Sequence, residues 1–232
     1  MSSHHIIRDN QEAALLIADG EACSVALMEE LLEWSPFVLV LDGALARVLE
    51  WNIRVDVWLG DFDSGEALTE RAQALGIERV HTPDQDFTDL QKGFEYLIGR
   101  GFHSVHVLWA GGKRMDHYFN NIFTAAAWSE RLNIAFIDDY SRAFFIPKTF
   151  KKWVPKDTNI SLLPCGRCEG VSTKNLVWNL QGETLELPHK TSSSTSSVLW
   201  KDLRNPIEIQ LPRQTRNNRY WLLGLRWVWY HR

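Results

Sequence analysis

At 232 residues, 45% hydrophobic and 23% charged, the chain has the composition of a soluble globular protein of one large or two small domains. Its net charge of −4 gives no general affinity for nucleic acid or acidic membranes, and no apolar run approaches the roughly 18 residues of a membrane span. Three cysteines make no disulfide framework, and residues 1–20 lack a basic region followed by an apolar core, so the expected compartment is the cytoplasm.

In chain order, residues 1–140 read as alternating strands and helices. FVLVLD (37–42) is a short apolar strand, and GALARVLEWNI has helical apolar spacing. VDVWLGD (55–61) is a second strand, and EALTERAQALG a helix with a glycine stop. IERVHTPD (77–84) is a third strand. TDLQKGFEYLIGRG follows as a helix, with Thr88 and Gln91 spaced as a capping box. SVHVLWAGG (104–112) is a fourth strand, DHYFNNIFTAAAWSERL a helix and NIAFIDD a fifth strand. This alternation implies a mostly parallel sheet covered on both faces. After about residue 143 short alternating segments follow, SRAFFIP, NISLLP, GVSTKNLVWNL, ETLELP and PIEIQLP, divided by turn residues. They imply antiparallel strands in a sandwich or barrel. The expected architecture is an α/β domain over 1–147 and an all-β sandwich domain over 148–232. FKKWVPKD (150–157) reads as the junction and TSSSTSSV (191–198) as a loop.

Ligands of open α/β sheets bind outside the carboxyl ends of the strands. Those ends carry Asp42; Asp61 and Asp63; Asp84, Asp86 and Asp89; and Gly111–Gly112 followed by Lys113, Arg114, Asp116 and His117. Clustered carboxylates raise one another's pKa unless a cation joins them. Mg²⁺ suits such a site, because it takes oxygen ligands from one or two carboxylates and from substrate phosphates. Asp61 and Asp63, two apart, share a face if the segment is extended, with Phe62 directed into the protein. Gly60 lets the backbone leave the strand tightly. Lys113 and Arg114 supply cations for phosphate. GDFDSG alone reads equally as a turn, and Asp84 and Asp86 alone as turn and cap residues. Several strand ends of the same chemistry favour a metal–phosphate site.

The segments ADGEA (18–22), LDGALARVLE (41–50), VDVWLGDFDSG (55–65), TPDQDFTDLQKGFEYL (82–97), GGKRMDHYFNNI (111–122), ISLLPCG (160–166) and GVSTKNLVWNL (170–180) occur in the order found in one family. The chain resembles thiamin pyrophosphokinases (thiamin diphosphokinases). The resemblance implies a transferase, a kinase of thiamin diphosphate biosynthesis. It would move a diphosphate from ATP to the hydroxyethyl oxygen of thiamin, giving thiamin diphosphate and AMP, with Mg²⁺. It implies an α/β domain, a β-sandwich domain and a homodimer with thiamin bound near the interface.

By position in the matching motifs, Asp61, Asp63 and Asp89 are the implied Mg²⁺ ligands. Asp42, Gln85, Asp86, Thr88 and Lys113 fall on the ATP side. Arg114 matches a phosphate-contacting arginine, and Asp116 the carboxylate near the attacking hydroxyl. Trp178, Ser193 and Ser194 fall on the thiamin side. His117 stands open between a phosphate contact and a capping role.

Two departures from the family pattern stand out. Asp42-Gly43-Ala44 replaces an aspartate followed by two glycines, and Thr195 stands where an asparagine is expected. The first matters only if residue 44 needs a positive φ. The second removes an amide from the thiamin pocket and motivates a rival reading, a Mg²⁺-dependent phosphotransferase with another acceptor; a further rival, of a different class, is a catalytically silent thiamin- or nucleotide-binding protein that uses the β-sandwich for recognition. CGRC (165–168) lacks a second cysteine pair and reads as two free thiols in a turn. After Glu208 the tail has five arginines and no acidic residue, and it reads as a final strand of the sandwich.

Overall fold

A computed structural model describes residues 12–62, 65–155, 157–187, 189–190, 192–196, 206–211 and 219–223. The chain forms two compact units, Met1–Asp139 and Tyr140–Arg232.

The first unit carries six parallel strands: β1 (Ala14–Ile17), β2 (Val38–Leu41), β3 (Val57–Gly60), β4 (Glu78–His81), β5 (Ser104–Leu108) and β6 (Asn133–Ile137). Their order in the sheet is β6-β5-β1-β2-β3-β4, every neighbouring pair parallel. The strands are short apolar runs, ALLI, VLVL and VWLG at the centre, each buried throughout. A run with no polar alternation can be stable only if both its faces are covered. Five helices cover them: α1 (Val25–Leu32), α2 (Leu45–Glu50), α3 (Glu66–Ala74), α4 (Asp89–Gly99) and α5 (Met115–Trp128).

One face of the sheet presents Leu15, Ile17, Val38, Val40 and Trp58 to Met28 of α1 and to Leu45, Val48 and Leu49 of α2. On the other face α4 lies close. Gly93 permits this, because a Cβ there would come 2.9 Å from Leu16 Cδ1. Around it Leu90, Phe94 and Leu97 are buried at helical spacing. Burying each such side chain contributes roughly 1.5–3 kcal/mol.

Three sequence expectations change here. β1 was not expected as a strand, yet it is one of the two middle strands of the six. The fourth expected strand stops at Leu108 rather than Gly112, because Trp109 turns left-handed at φ 55°. The segment around Phe62 is not extended, since Phe62 has φ 63°.

The second unit is antiparallel. β9 (Asn159–Cys165) lies between β12 (Ser192–Ser196) and β14 (Arg219–Leu223), and β14 also pairs β7 (Arg142–Phe145). A second sheet has the order β11-β10-β13-β8, from β11 (Glu183–Leu185), β10 (Cys168–Lys174), β13 (Ile207–Gln210) and β8 (Thr149–Lys152). Ile160 and Leu162 of one sheet share a core with Val171, Leu185, Ile207 and Ile209 of the other, so the two sheets form a sandwich. The expected junction 150–157 therefore contains part of a strand, and the serine run expected as a loop is β12, paired to β9. The tail forms a strand over 219–223; residues 224–232 lie outside the described residues. All three cysteines are free, and Cys165 and Cys168 flank the bend at Gly166.

Candidate functional site

The sheet order sets the carboxyl ends of β5, β1, β2, β3 and β4 side by side. In that sequence they lead into Trp109–Arg114, Asp19, Asp42, Asp61 and the loop Thr82–Thr88. Because β1 is inserted between β5 and β2, Asp19 stands between the basic turn and the acidic residues. Sequence reasoning did not assign it a role. The signal was present in ALLIAD, five apolar residues running into a carboxylate.

Asp42 is 4% exposed and accepts a hydrogen bond from the Phe62 N–H through Oδ2 at 2.7 Å. Gly60 makes room for it: a Cβ on residue 60 would collide with the Asp42 side chain. Gly60 is thus required for close approach, not for a positive φ. The left-handed conformation falls on Phe62 instead, which costs roughly 1–2 kcal/mol for a residue with a Cβ. Phe62 is folded back onto Trp58, ring centroids 4.4 Å apart. The phenylalanine is directed into the protein as expected, but by a turn rather than by strand alternation. Asp61 accepts from Gln85 Nε2 at 3.2 Å, and that donor leads the interactions that hold its carboxyl below the ordinary range. Asp63 lies outside the described residues. Ala44 sits at φ −91° and is fully buried, so the second glycine of the family pattern is not needed for backbone reasons.

After β4, Asp84 Oδ1 accepts the Asp86 N–H at 2.8 Å, a turn-forming contact, while Asp86 is exposed. Thr88 caps α4 in a full capping box: the Gln91 N–H donates to Thr88 Oγ1 at 3.3 Å and the Thr88 N–H to Gln91 Oε1 at 2.8 Å. Asp89, in the first turn, faces Lys92 Nζ at 3.3 Å. The same ammonium donates to the Thr82 carbonyl at 3.0 Å and is one-tenth exposed. Lys92 was also missed from sequence, where a lysine three residues after an aspartate on a helix looks like an ordinary surface pair.

On the β5 side, Lys113 Nζ donates to Asp19 Oδ1 at 2.8 Å. Arg47 of α2 reaches the same oxygen at 3.3 Å and the Gly20 carbonyl at 2.7 Å, with its guanidinium 4.3 Å from the Trp109 ring centroid. Asp19 therefore orders both cations. Arg114, just before α5, donates to Asp116 through two nitrogens. The guanidinium pulls the Asp116 carboxyl down to about 2, and both residues are exposed. His117 follows in the first turn of α5, and its N–H also favours the charged Asp116.

The structure therefore brings together Asp42, Asp61, Phe62 and Gln85 by direct contact, and separately Asp19, Arg47 and Lys113. Arg114 with Asp116, and Asp89 with Lys92, form two further pairs on the same sheet edge. Among the described residues no group of three or more His, Cys, Asp or Glu side chains is arranged to hold a metal. In the second unit Trp178 is 73% exposed in the segment after β10, and Ser193 and Ser194 lie on β12. A cavity of about 380 Å³ lined by Met28, Leu32, Val38 and Trp51 opens at the amino end of β2 and shares no residue with the strand-end cluster.

A family model described as thiamin pyrophosphokinase, catalytic domain, matches residues 28–136, and one described as thiamin pyrophosphokinase, vitamin B1 binding domain, matches residues 146–196. Together they cover well over half of the chain. The chain belongs to the thiamin pyrophosphokinase family. It is 25% identical over 127 residues to thiamin pyrophosphokinase 1 of Caenorhabditis elegans, a match spanning 50% of this chain and 51% of that protein. The chain thus aligns with about half the length of this curated relative.

The fold is that of solved thiamin pyrophosphokinases. The yeast enzyme superposes with a TM-score of 0.77 at 16% identity, covering 95% of this chain and 88% of that one. The Bacillus subtilis protein superposes with a TM-score of 0.75 at 16% identity, covering 92% and 100%. The catalytic-domain match takes in Asp42, Asp61, Gln85, Asp89, Lys113, Arg114 and Asp116, and the vitamin B1 binding match takes in Trp178 and β12.

Proposed function

We propose that this thiamin pyrophosphokinase family member is a thiamin diphosphokinase, transferring the diphosphate of ATP to thiamin with release of AMP. The observation that carries the reading is the paired domain match, catalytic then vitamin B1 binding, in one chain. The strand-end cluster supplies what the chemistry requires. Diphosphate transfer joins the thiamin hydroxyl oxygen to the β-phosphorus and breaks its bond to the oxygen of the α-phosphate. The protein's contribution is positioning and charge neutralisation.

Arg114 keeps donors beyond those engaged by Asp116 and would hold the transferring phosphates. Lys113 would reach the nucleotide phosphates when it leaves Asp19, and Gln85, Asp86, Thr88 and His117 line the ATP side. Asp116, held ionised by the Arg114 guanidinium, would orient the thiamin hydroxyl or accept its proton.

The donor set fits Mg²⁺. Asp61 is held ionised, and Asp61, Asp63 and Asp89 offer only carboxylate oxygens. Mg²⁺ takes its remaining ligands from water and phosphate, so a preformed protein cage is not needed. When bound, the ion would offset charge on the phosphate oxygens. Trp178, Ser193 and Ser194 would form the thiamin side.

The cytoplasm is the proposed compartment, consistent with three free cysteines, and among the described residues no helix is long and apolar enough to cross a membrane. A homodimer is proposed because Met115, Phe119 and Phe123 expose an apolar stripe at four-residue spacing on α5. The alternative of another acceptor rests on Thr195. Incubation with ATP, Mg²⁺ and a panel of alcohols separates the readings: thiamin diphosphate and AMP in equal amounts support this one. AMP formed only with another alcohol supports the alternative, and thiamin binding without turnover a silent binder.

A further inference from the structure

Phe62 occupies a backbone conformation that a phenylalanine does not favour, and its ring is held by side chains of β3 and β4. We propose that Arg79 is a positioning residue. Stacked on Phe62, it fixes the turn that presents Asp61 and so sets divalent-cation affinity at this site. The inference rests on the reading of Asp61 as a metal ligand for diphosphate transfer.

β3 and β4 run parallel with Trp58 opposite Arg79 and Gly60 opposite His81. Residues two apart on a strand share a face, so Arg79 and His81 lie on the same side as Trp58, where the Phe62 ring folds back. The guanidinium of Arg79 lies 4.4 Å from the Phe62 ring centroid and 5.4 Å from that of Trp58. The His81 imidazole stacks on the same ring, centroids 5.7 Å apart and planes 25° apart. Phe62 is thus gripped by Trp58, His81 and Arg79 while its N–H is tied to buried Asp42.

An exposed arginine on an edge strand has an ordinary use, since charge on an edge discourages pairing with other chains. That use explains a charge at position 79 but not its seat over two rings. Among the described residues Arg79 makes no ion pair, and its guanidinium rests on the two rings. Asp61 directly precedes Phe62. Any loosening of the left-handed turn is therefore passed to the carboxylate through one peptide unit.

The test uses the full chain and Mn²⁺ as the probe, followed by electron paramagnetic resonance, together with hydrogen exchange of the Phe62 amide without metal. Arg79→Ala weakens Mn²⁺ affinity about two- to fivefold, the size of an exposed cation–π contact. It also speeds exchange of the Phe62 amide, while the melting temperature falls by no more than about 4 °C. Arg79→Lys, which keeps the charge and loses the planar stack, recovers only part of the affinity. In a Phe62→Leu background Arg79→Ala adds nothing, because its effect passes through the ring. Wild-type Mn²⁺ affinity or wild-type exchange in Arg79→Ala overturns the proposal, as does a full Arg79 effect in the Phe62→Leu background. These readouts do not need turnover, so failure of the wild-type chain to form AMP would count against the diphosphokinase reading alone.

Discussion

Asp61 and Gly60 carry different burdens although they are adjacent. Asp61 supplies charge, and Asp61→Asn should lower thiamin diphosphate formation by about a hundredfold or more, as expected on removing a preorganised charge from a phosphoryl-transfer site. Circular dichroism should stay unchanged. Gly60 supplies space. Gly60→Ala puts a methyl group into the Asp42 carboxylate, so it should destabilise the chain by about 1–3 kcal/mol in urea unfolding. It should also weaken the Asp42–Phe62 contact.

At this scale the acidic residues were legible in the sequence, because carboxylates after apolar runs mark strand ends. The reason for Gly60 was not, since the side chain it accommodates belongs to Asp42, eighteen residues earlier and just past the end of β2. Asp19, Arg47 and Lys92 were missed for a related reason. Each takes its role from a partner, Lys113, Trp109 or Thr82, that sequence spacing alone does not bring near.

Among the elements, α4 was the most legible, for its capping box is written in Thr88 and Gln91 and its buried stripe in Leu90, Phe94 and Leu97. β1 was the least legible. A single short apolar run after a polar stretch shows no period, and only the sheet reveals that it supplies a middle strand. β12 escaped for the opposite reason: a run of serine and threonine has no apolar alternation, and its place is set by hydrogen bonding to β9.

Helices α4 and α5 are joined where Glu95 accepts from both guanidinium nitrogens of Arg131 and from Trp128 Nε1 at 2.7 Å. Donation by Arg131 is the first cause holding the Glu95 carboxyl below its ordinary value. A depressed folded pKa adds stability that is present above the unfolded value and is lost as pH falls through the folded one. The pair is about half exposed, so Glu95→Gln should cost no more than about 1 kcal/mol near neutral pH. The gap to wild type should close in acid. Urea unfolding at both pH values checks this; a gap that persists in acid would assign the effect to packing.

Across the whole molecule, the division into an α/β unit and a β-sandwich follows from a change of texture that the sequence displays openly. Continuous apolar strands give way to alternating ones. The contacts place the division at Asp139, where the last parallel strand has ended. The exposed stripe on α5 was not legible as a surface, because its spacing is that of any amphipathic helix and only the fold shows that it faces outward. If a second copy covers it, Phe119→Asp with Phe123→Asp should give a monomer by sedimentation. A wild-type monomer would remove the dimer from the account.

The central claim is that two phosphoryl units move together to thiamin. Phosphorus NMR of the full chain with ATP, Mg²⁺ and thiamin tests it most directly. The β and γ signals of ATP should be replaced by those of thiamin diphosphate, with one AMP formed for each. Conversion of ATP to ADP, or an ATP spectrum that thiamin leaves unchanged, would contradict it.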